Sequence, residues 1–221
     1  MYPIYHINAS SFQKLTGTPM KPRGTLRNIR WCETMKCILS KCNKKIQPFH
    51  LGNENAIIPA ECDIGEIRKL CSYFQYMAPN IESAQSPFLD VTYHDDVLAE
   101  ITKNKKDFVF CAHNDNTDKK LSELALLSDS ICPRCKRFLC KRMTRPAKRD
   151  KTRKESDLEC LLRHLRNAIA HGHVYLQHGG TYIRLLFEDI NDKGAITARI
   201  VCFQTDLKKW RKILQDAVAN Q

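Results

Sequence analysis

The spacing of apolar residues changes abruptly between Ile169 and Val174, and that change limits what the chain can fold into. Upstream, Ser156 and Glu159 make an S-x-x-E capping box, in which two backbone donors at a helix start are satisfied reciprocally. Leu158, Leu161, Leu162, Leu165 and Ile169 follow at i, i+3, i+4, i+7 and i+11, one apolar stripe facing a core. Gly172 supplies a C-terminal stop. The spacing predicts a helix from about Asp157 to His171. Downstream the period is two. "HVYLQ" and "TYIRLLFED" flank the turn "HGG", and "NDKG" turns again before "AITARIVCF", which predicts a small antiparallel meander. Thr205 is expected to cap a last helix with Leu207, Trp210, Ile213, Leu214 and Val218 inward.

The rest of the chain reads as helices and loops without an internal repeat. Residues 1–25 are irregular, punctuated by Pro3, Gly17, Pro19, Pro22 and Gly24. A helix is expected from Thr25 to about Cys42, another from Asp63 that Pro79 closes, and another from near Asp95. "DFVFCAH" is short and apolar, strand or buried helix alike, and Thr117–Ile131 has a helical pattern. The expected fold class is mainly α: a helical bundle with a small antiparallel β-meander before the C-terminal helix. It is expected as one domain over 1–221, with the irregular segment 1–25 and a basic loop at 141–155.

The net charge of +12 points to a polyanionic partner, nucleic acid first. Most of that charge is concentrated. Between Arg134 and Lys154 stand eleven Lys or Arg residues and one acid, Asp150. From about Met143 the stretch also lacks apolar periodicity, so it reads as a mobile or weakly ordered basic loop, either a phosphate-tracking arm or a solvated linker. Lys141, Arg142, Arg145, Lys148, Arg149 and, on the helix, Arg163 are the candidate RNA-binding residues. The N-terminus lacks a charged stretch followed by an apolar run, and nowhere are there about 18 consecutive apolar residues. The expectation is a cytoplasmic protein without a membrane span, its eleven cysteines reduced thiols rather than a disulfide framework. Cys111, His113, Cys132 and Cys135 form C-x-H and C-x2-C pairs that suit tetrahedral zinc, but equally suit buried free thiols. No cofactor is expected.

The end of the capped helix carries the candidate chemistry. At about 100° per residue, Asn167 lies about 40° from His171 around the axis, Arg163 about 80° and Arg166 about 140°. Arg166 and His171 therefore flank a polar face opposite the leucine stripe. Arg, Asn and His suit RNA cleavage, because RNA brings its own nucleophile, the 2′-hydroxyl. Histidine moves protons near neutrality, and arginine stays charged and offers a planar fork to phosphate oxygens. Asn167 can orient the imidazole or the phosphate. The pair Arg-x4-His alone arises readily by accident in a chain with eight histidines, and arginine is favoured near a helix C-terminus in any case.

The longer string "LRNAIAHG" resembles the signature of the HEPN superfamily, helical ribonuclease domains of prokaryotic defence and toxin systems and of some larger nucleases. Its pattern of Arg, a polar residue, a short spacer and His falls on Arg166, Asn167, Ala168 to Ala170 and His171. The resemblance spans roughly Glu155 to Ala219. It implies a homodimer with juxtaposed motif helices, a composite site of two Arg and two His, and a metal-independent endoribonuclease leaving 2′,3′-cyclic phosphate, with catalytic Arg166, Asn167 and His171. A toxin or antiphage effector with RNA as substrate, under an antitoxin or other regulatory partner, is one expectation. A non-catalytic HEPN-like module that binds RNA or protein is the other. One position departs from the pattern: toxins of the superfamily paired with a minimal nucleotidyltransferase have Tyr two residues after the His, where this chain has His173, and the nearest tyrosine is Tyr175.

Overall fold

A computed structural model describes residues 49–50, 55–103, 108–111, 119–121, 126, 130–131, 138–141, 146–147, 151–179 and 182–221. The expected irregular N-terminal segment and the helix expected from Thr25 lie outside them. The capped helix forms as its sequence dictates. It is Asp157–Ala170, here α3, after α1 (Gly65–Ser72) and α2 (His94–Thr102). The Ser156 hydroxyl accepts from the Glu159 N–H, and the Glu159 carboxylate accepts from the Ser156 N–H at 2.9 Å. All five stripe residues are buried. His171 is the C-terminal cap, and Gly172 follows at φ +71°, the left-handed conformation that side chains resist. A Cβ added at Gly172 would meet nothing within 4 Å, so backbone conformation rather than crowding explains the glycine.

The meander also forms, as β6 (Val174–Gly179), β7 (Tyr182–Ile190) and β8 (Ile196–Phe203). It is not a small appendage to a bundle. With β2 (Ala56–Ile57), β3 (Phe108–Cys111) and β5 (Phe138–Lys141) it makes a six-stranded sheet in the order β2-β6-β7-β8-β5-β3. All neighbours are antiparallel except β3 and β5, which are parallel. The expected mainly helical bundle is thereby corrected to an α+β fold. A further two-stranded pair joins β1 (Phe49–His50) to β4 (Ser130–Ile131), inside the span expected as the Thr117–Ile131 helix, of which 119–121 are helical.

The physical reason lies in how the central strands are covered. Leu185, Phe187 and Asp189 of β7 point to one face, across from Cys202, Ile200 and Ala198 of β8, and the apolar members join the main core with α3 and α4 (Gln204–Ala219). Phe138 of β5 meets Trp210 of α4 at 5.3 Å between ring centres. The opposite face puts Leu186, Val201 and Leu139 against Leu121 and Leu126. Strands buried on both faces read as continuous apolar runs, which look like ambiguous core segments. β2 has two residues and β5 opens the basic stretch, so neither announces itself.

On the outer side of α3 sit α1 and a π-helical turn at Tyr73–Met77 that continues it. The loop that follows is pinned by Asn80. Its side chain donates to the Leu89 carbonyl at 2.6 Å and accepts from the Leu89 N–H at 3.1 Å. His94, buried at the start of α2, contacts the Asn80 amide through Nε2 at 2.9 Å and the Ser156 hydroxyl through Nδ1 at 2.8 Å. α4 starts at Gln204, and the carboxylate of Asp206, not Thr205, takes up the Phe203 N–H at 2.9 Å. Cys62, Cys71, Cys140, Cys160 and Cys202 are buried and not joined in disulfides. No helix among the described residues is long and apolar enough to cross a membrane.

Candidate functional site

The first turns of α3 are closed by ion pairs. Arg153 reaches both oxygens of Glu159 at 2.7 Å, and Arg163 binds Glu155 through Nε at 2.8 Å and Nη2 at 3.0 Å. Burial alone would raise the Glu159 pKa, but the Arg153 and Ser156 hydrogen bonds hold it below the ordinary value. Burial would likewise lower that of Arg163, and the Glu155 partner raises it. The structure thus places Arg163 in a bidentate pair within its own chain, with 12% of its side chain exposed.

One turn further on, Arg166 and Asn167 line a cleft together with Arg163, Glu155 and Glu159, and the loop residues Asn80, Ile81 and Glu82 form its other wall. An Arg166 nitrogen stands 3.9 Å from Glu82, too far for a hydrogen bond, and the Arg166 Nε is buried with no hydrogen-bond partner. Asn167 donates from Nδ2 to Asp189 Oδ2 at 3.2 Å. The same oxygen holds Nδ1 of His164, a buried histidine on α3, at 2.6 Å. Burial tends to raise the Asp189 pKa, but the His164 and Asn167 hydrogen bonds and the nearby Arg163 charge bring it below the usual carboxylate value.

His171 stands apart from the cleft. Its N–H caps the helix by donating to the Asn167 carbonyl at 2.9 Å, and its ring is exposed. The nearest aromatic neighbour recorded for it is His173, whose ring centre is 6.2 Å away at 31°. His173 is fixed by its backbone, donating to Ala168 and accepting from Glu188, while its Nδ1 is buried without a hydrogen-bond partner. Arg166 and Asn167 are therefore brought together, and His171 lies beside them at the helix end. Tyr175 belongs to the opposite face of the sheet, packed on the Leu139–Leu186–Val201 cluster.

Lys141 ends β5, opposite Cys111 of β3. Arg142, Arg145, Lys148 and Arg149 lie outside the described residues, as do His113, Cys132 and Cys135. At the base of the basic segment Pro146 bridges Lys154, and the Ala147 N–H donates to the Arg153 carbonyl at 2.9 Å. Among the described residues no group of three metal-binding side chains exists. Sequence reasoning missed Asp189, Glu82 and Asn80. Asp189 left a trace: in "LLFED" it falls on the same alternate positions as Leu185 and Phe187, a carboxylate where the strand turns its side chains inward.

No curated protein and no solved structure matches the chain. Residues 96–221 match the family described as HEPN pEK499 p136, a span that takes in α3, the meander, α4 and every site residue from α3 and β7 described above. That span is more than half of the sequence, and the chain belongs to this HEPN family.

Proposed function

We propose that the chain is a HEPN endoribonuclease that cleaves RNA by attack of its own 2′-hydroxyl. The observation that carries this reading is the family match itself, whose span holds Arg166, with an Nε that has no hydrogen-bond partner, and the exposed His171 at the C-terminal cap of the same helix. His171 takes the 2′-hydroxyl proton, the 2′-oxygen attacks phosphorus, the P–O5′ bond breaks, and the 5′-oxygen leaves with the proton returned from the His171 imidazolium. Arg166 stabilises the charge on the phosphorane. The products are a 2′,3′-cyclic phosphate and a 5′-hydroxyl. The groups present supply proton transfer and charge, so the reaction proposed calls for no metal ion.

His171 does not line the cleft that holds Arg166, which supports a two-fold homodimer in which a second α3 end completes the group. The basic segment supplies sequence-independent phosphate contacts, and the chain acts as a toxin or antiphage effector held in check by a partner. A mixed RNA pool incubated with wild type and with His171→Ala tests the reading. Scission by wild type alone, unaffected by excess EDTA and giving 5′-hydroxyl ends, is the expected result. Products with 5′-phosphates, or undiminished scission by His171→Ala, would overturn it. The Glu82 carboxylate near Arg166 favours a second reading, a HEPN module that binds RNA without cutting it. RNA retention with no scission by wild type selects that reading.

A further inference from the structure

We infer that Asp189 is a positioning residue, which fixes the Asn167 amide so that its oxygen faces the cleft as an acceptor for a ribose 2′-hydroxyl. This rests on the reading of the site as one that takes RNA. The argument begins with what a carboxylate can do. Ionised, it only accepts hydrogen bonds, so the planar amide beside it must turn its nitrogen inward. The 3.2 Å contact from Asn167 Nδ2 to Asp189 Oδ2 has that sense. The opposite orientation would press oxygen against a carboxylate oxygen. One of the nitrogen's two hydrogens is thus taken by Asp189, the side of the amide on which the oxygen lies is set as well, and Asn167 is a wall of the cleft.

Two further observations make Asp189 a built anchor rather than a chance neighbour. His164, one turn before Asn167 on the same helix, holds the same Oδ2 at 2.6 Å and is itself buried, so the carboxylate has little freedom to swing. The pairing of β7 with β8 shifts register between Asp189 and Ile190. Such irregularities re-aim a side chain relative to a regular strand. The Asp189 carbonyl is also held, accepting from the Thr197 hydroxyl at 3.1 Å.

The direction of the amide selects its ligand. A phosphate oxygen carries no hydrogen for a carbonyl oxygen to accept, whereas a sugar hydroxyl does. The 2′-hydroxyl is also the group by which a protein tells RNA from DNA. The arrangement gives Asn167 a part that Arg166 cannot play: the arginine reads the phosphate common to both nucleic acids, and the amide reads the sugar.

The test compares binding to single-stranded RNA and DNA of one sequence, in a His171→Ala background so that RNA is not consumed. Asn167→Ala should narrow the preference for RNA by roughly three- to tenfold, the weight of one hydrogen bond. Asp189→Asn, which keeps the shape but no longer dictates the direction of the amide, should narrow it in the same sense. The double variant should lose no more than Asn167→Ala alone, because Asp189 acts through Asn167. An unchanged RNA-to-DNA ratio in Asn167→Ala, or additive losses in the double variant, would overturn the inference while leaving the nuclease reading intact. Should Asp189→Asn fail to fold, the Asn167→Ala ratio still decides. A wild type with strong RNA preference and no scission would refute the nuclease reading and leave the sugar contact standing.

Discussion

At the N-terminal end of α3, Arg153, Ser156 and Glu159 form one hydrogen-bonded group and Arg163 and Glu155 another, at 2.7–3.2 Å. At the C-terminal end His171 is exposed, and Arg166 Nε and His173 Nδ1 are buried without partners. The two ends belong to one helix and its flanks. Buried polar atoms without partners cost free energy, so where a chain keeps them a ligand is the natural complement. The first end holds the helix in place. The second keeps an Arg166 and a His173 nitrogen to which no group of the chain is hydrogen-bonded.

The widest separation between the ends should appear in activity. His171→Ala and Arg166→Ala are each expected to reduce RNA cleavage by about 10²–10⁴-fold, measured under single-turnover conditions, while the thermal midpoint stays near that of wild type. Arg166→Lys should recover little, because an ammonium lacks the two-pronged fork. A His171→Ala variant that unfolds would break the comparison.

The converse experiment touches the closed end. Arg163→Ala removes the two-pronged guanidinium contact to the Glu155 carboxylate, whose side chain is only 5% exposed, and is expected to cost about 3 kcal/mol in urea unfolding. The folded fraction should still cleave RNA. Weaker RNA binding with unchanged stability would instead mean that Arg163 leaves its partner to hold phosphate.

Ser156→Ala is a smaller cut at the same end. Loss of the cap is expected to cost about 1 kcal/mol. The variant also removes the hydroxyl that faces His94, so a chemical denaturation curve that does not shift would show the capping chain to be redundant.

The smallest effect is one of pH. Burial holds the His94 pKa below its ordinary value, although the Leu89 carbonyl and the Glu159 charge raise it. The unfolded chain therefore binds the proton more readily than the folded one. Stability is full above the unfolded histidine value of about 6.5 and falls as pH drops below it, by at most about 1.4 kcal/mol per pH unit. Asp189 and Glu159, whose pKa values are depressed, act lower: their contribution is present above the ordinary carboxylate range and is lost as pH falls through their folded values. Unfolding free energies between pH 7 and 5.5 should decline in wild type and flatten in His94→Gln. A flat wild-type profile would count against His94 as a buried neutral link.

What the sequence discloses follows from how local each feature is. The cap at Ser156 and Glu159, the leucine stripe and the turn at Asn191–Gly194 depend on neighbours a few residues apart, and they form as read. The sheet does not. β7 pairs with β8 nearby, but β5 joins β8 across about 60 residues, and its apolar "FLC" lies inside a run of charge that masks it. The site divides along the same line. Arg166 and Asn167 are adjacent in the sequence and line one cleft, whereas His171, four residues on, does not line it. Glu82 and Asn80 reach the cleft from a loop folded back by Asn80 at φ +56°, which no periodicity records.

The pairing of Ala56 with Tyr175 has a consequence for how the chain is made. Closing so long a stretch of polypeptide is slow, and it cannot begin until both strands exist. On the ribosome, β2 waits for more than a hundred further residues, and the cleft wall at Asn80 and Glu82 waits for α3. Asp189, which anchors Asn167, emerges later still. A nascent chain therefore carries no assembled cleft until nearly all of it has been synthesised, and the RNA-directed activity proposed above would have no site while the chain is still attached to the messenger that encodes it.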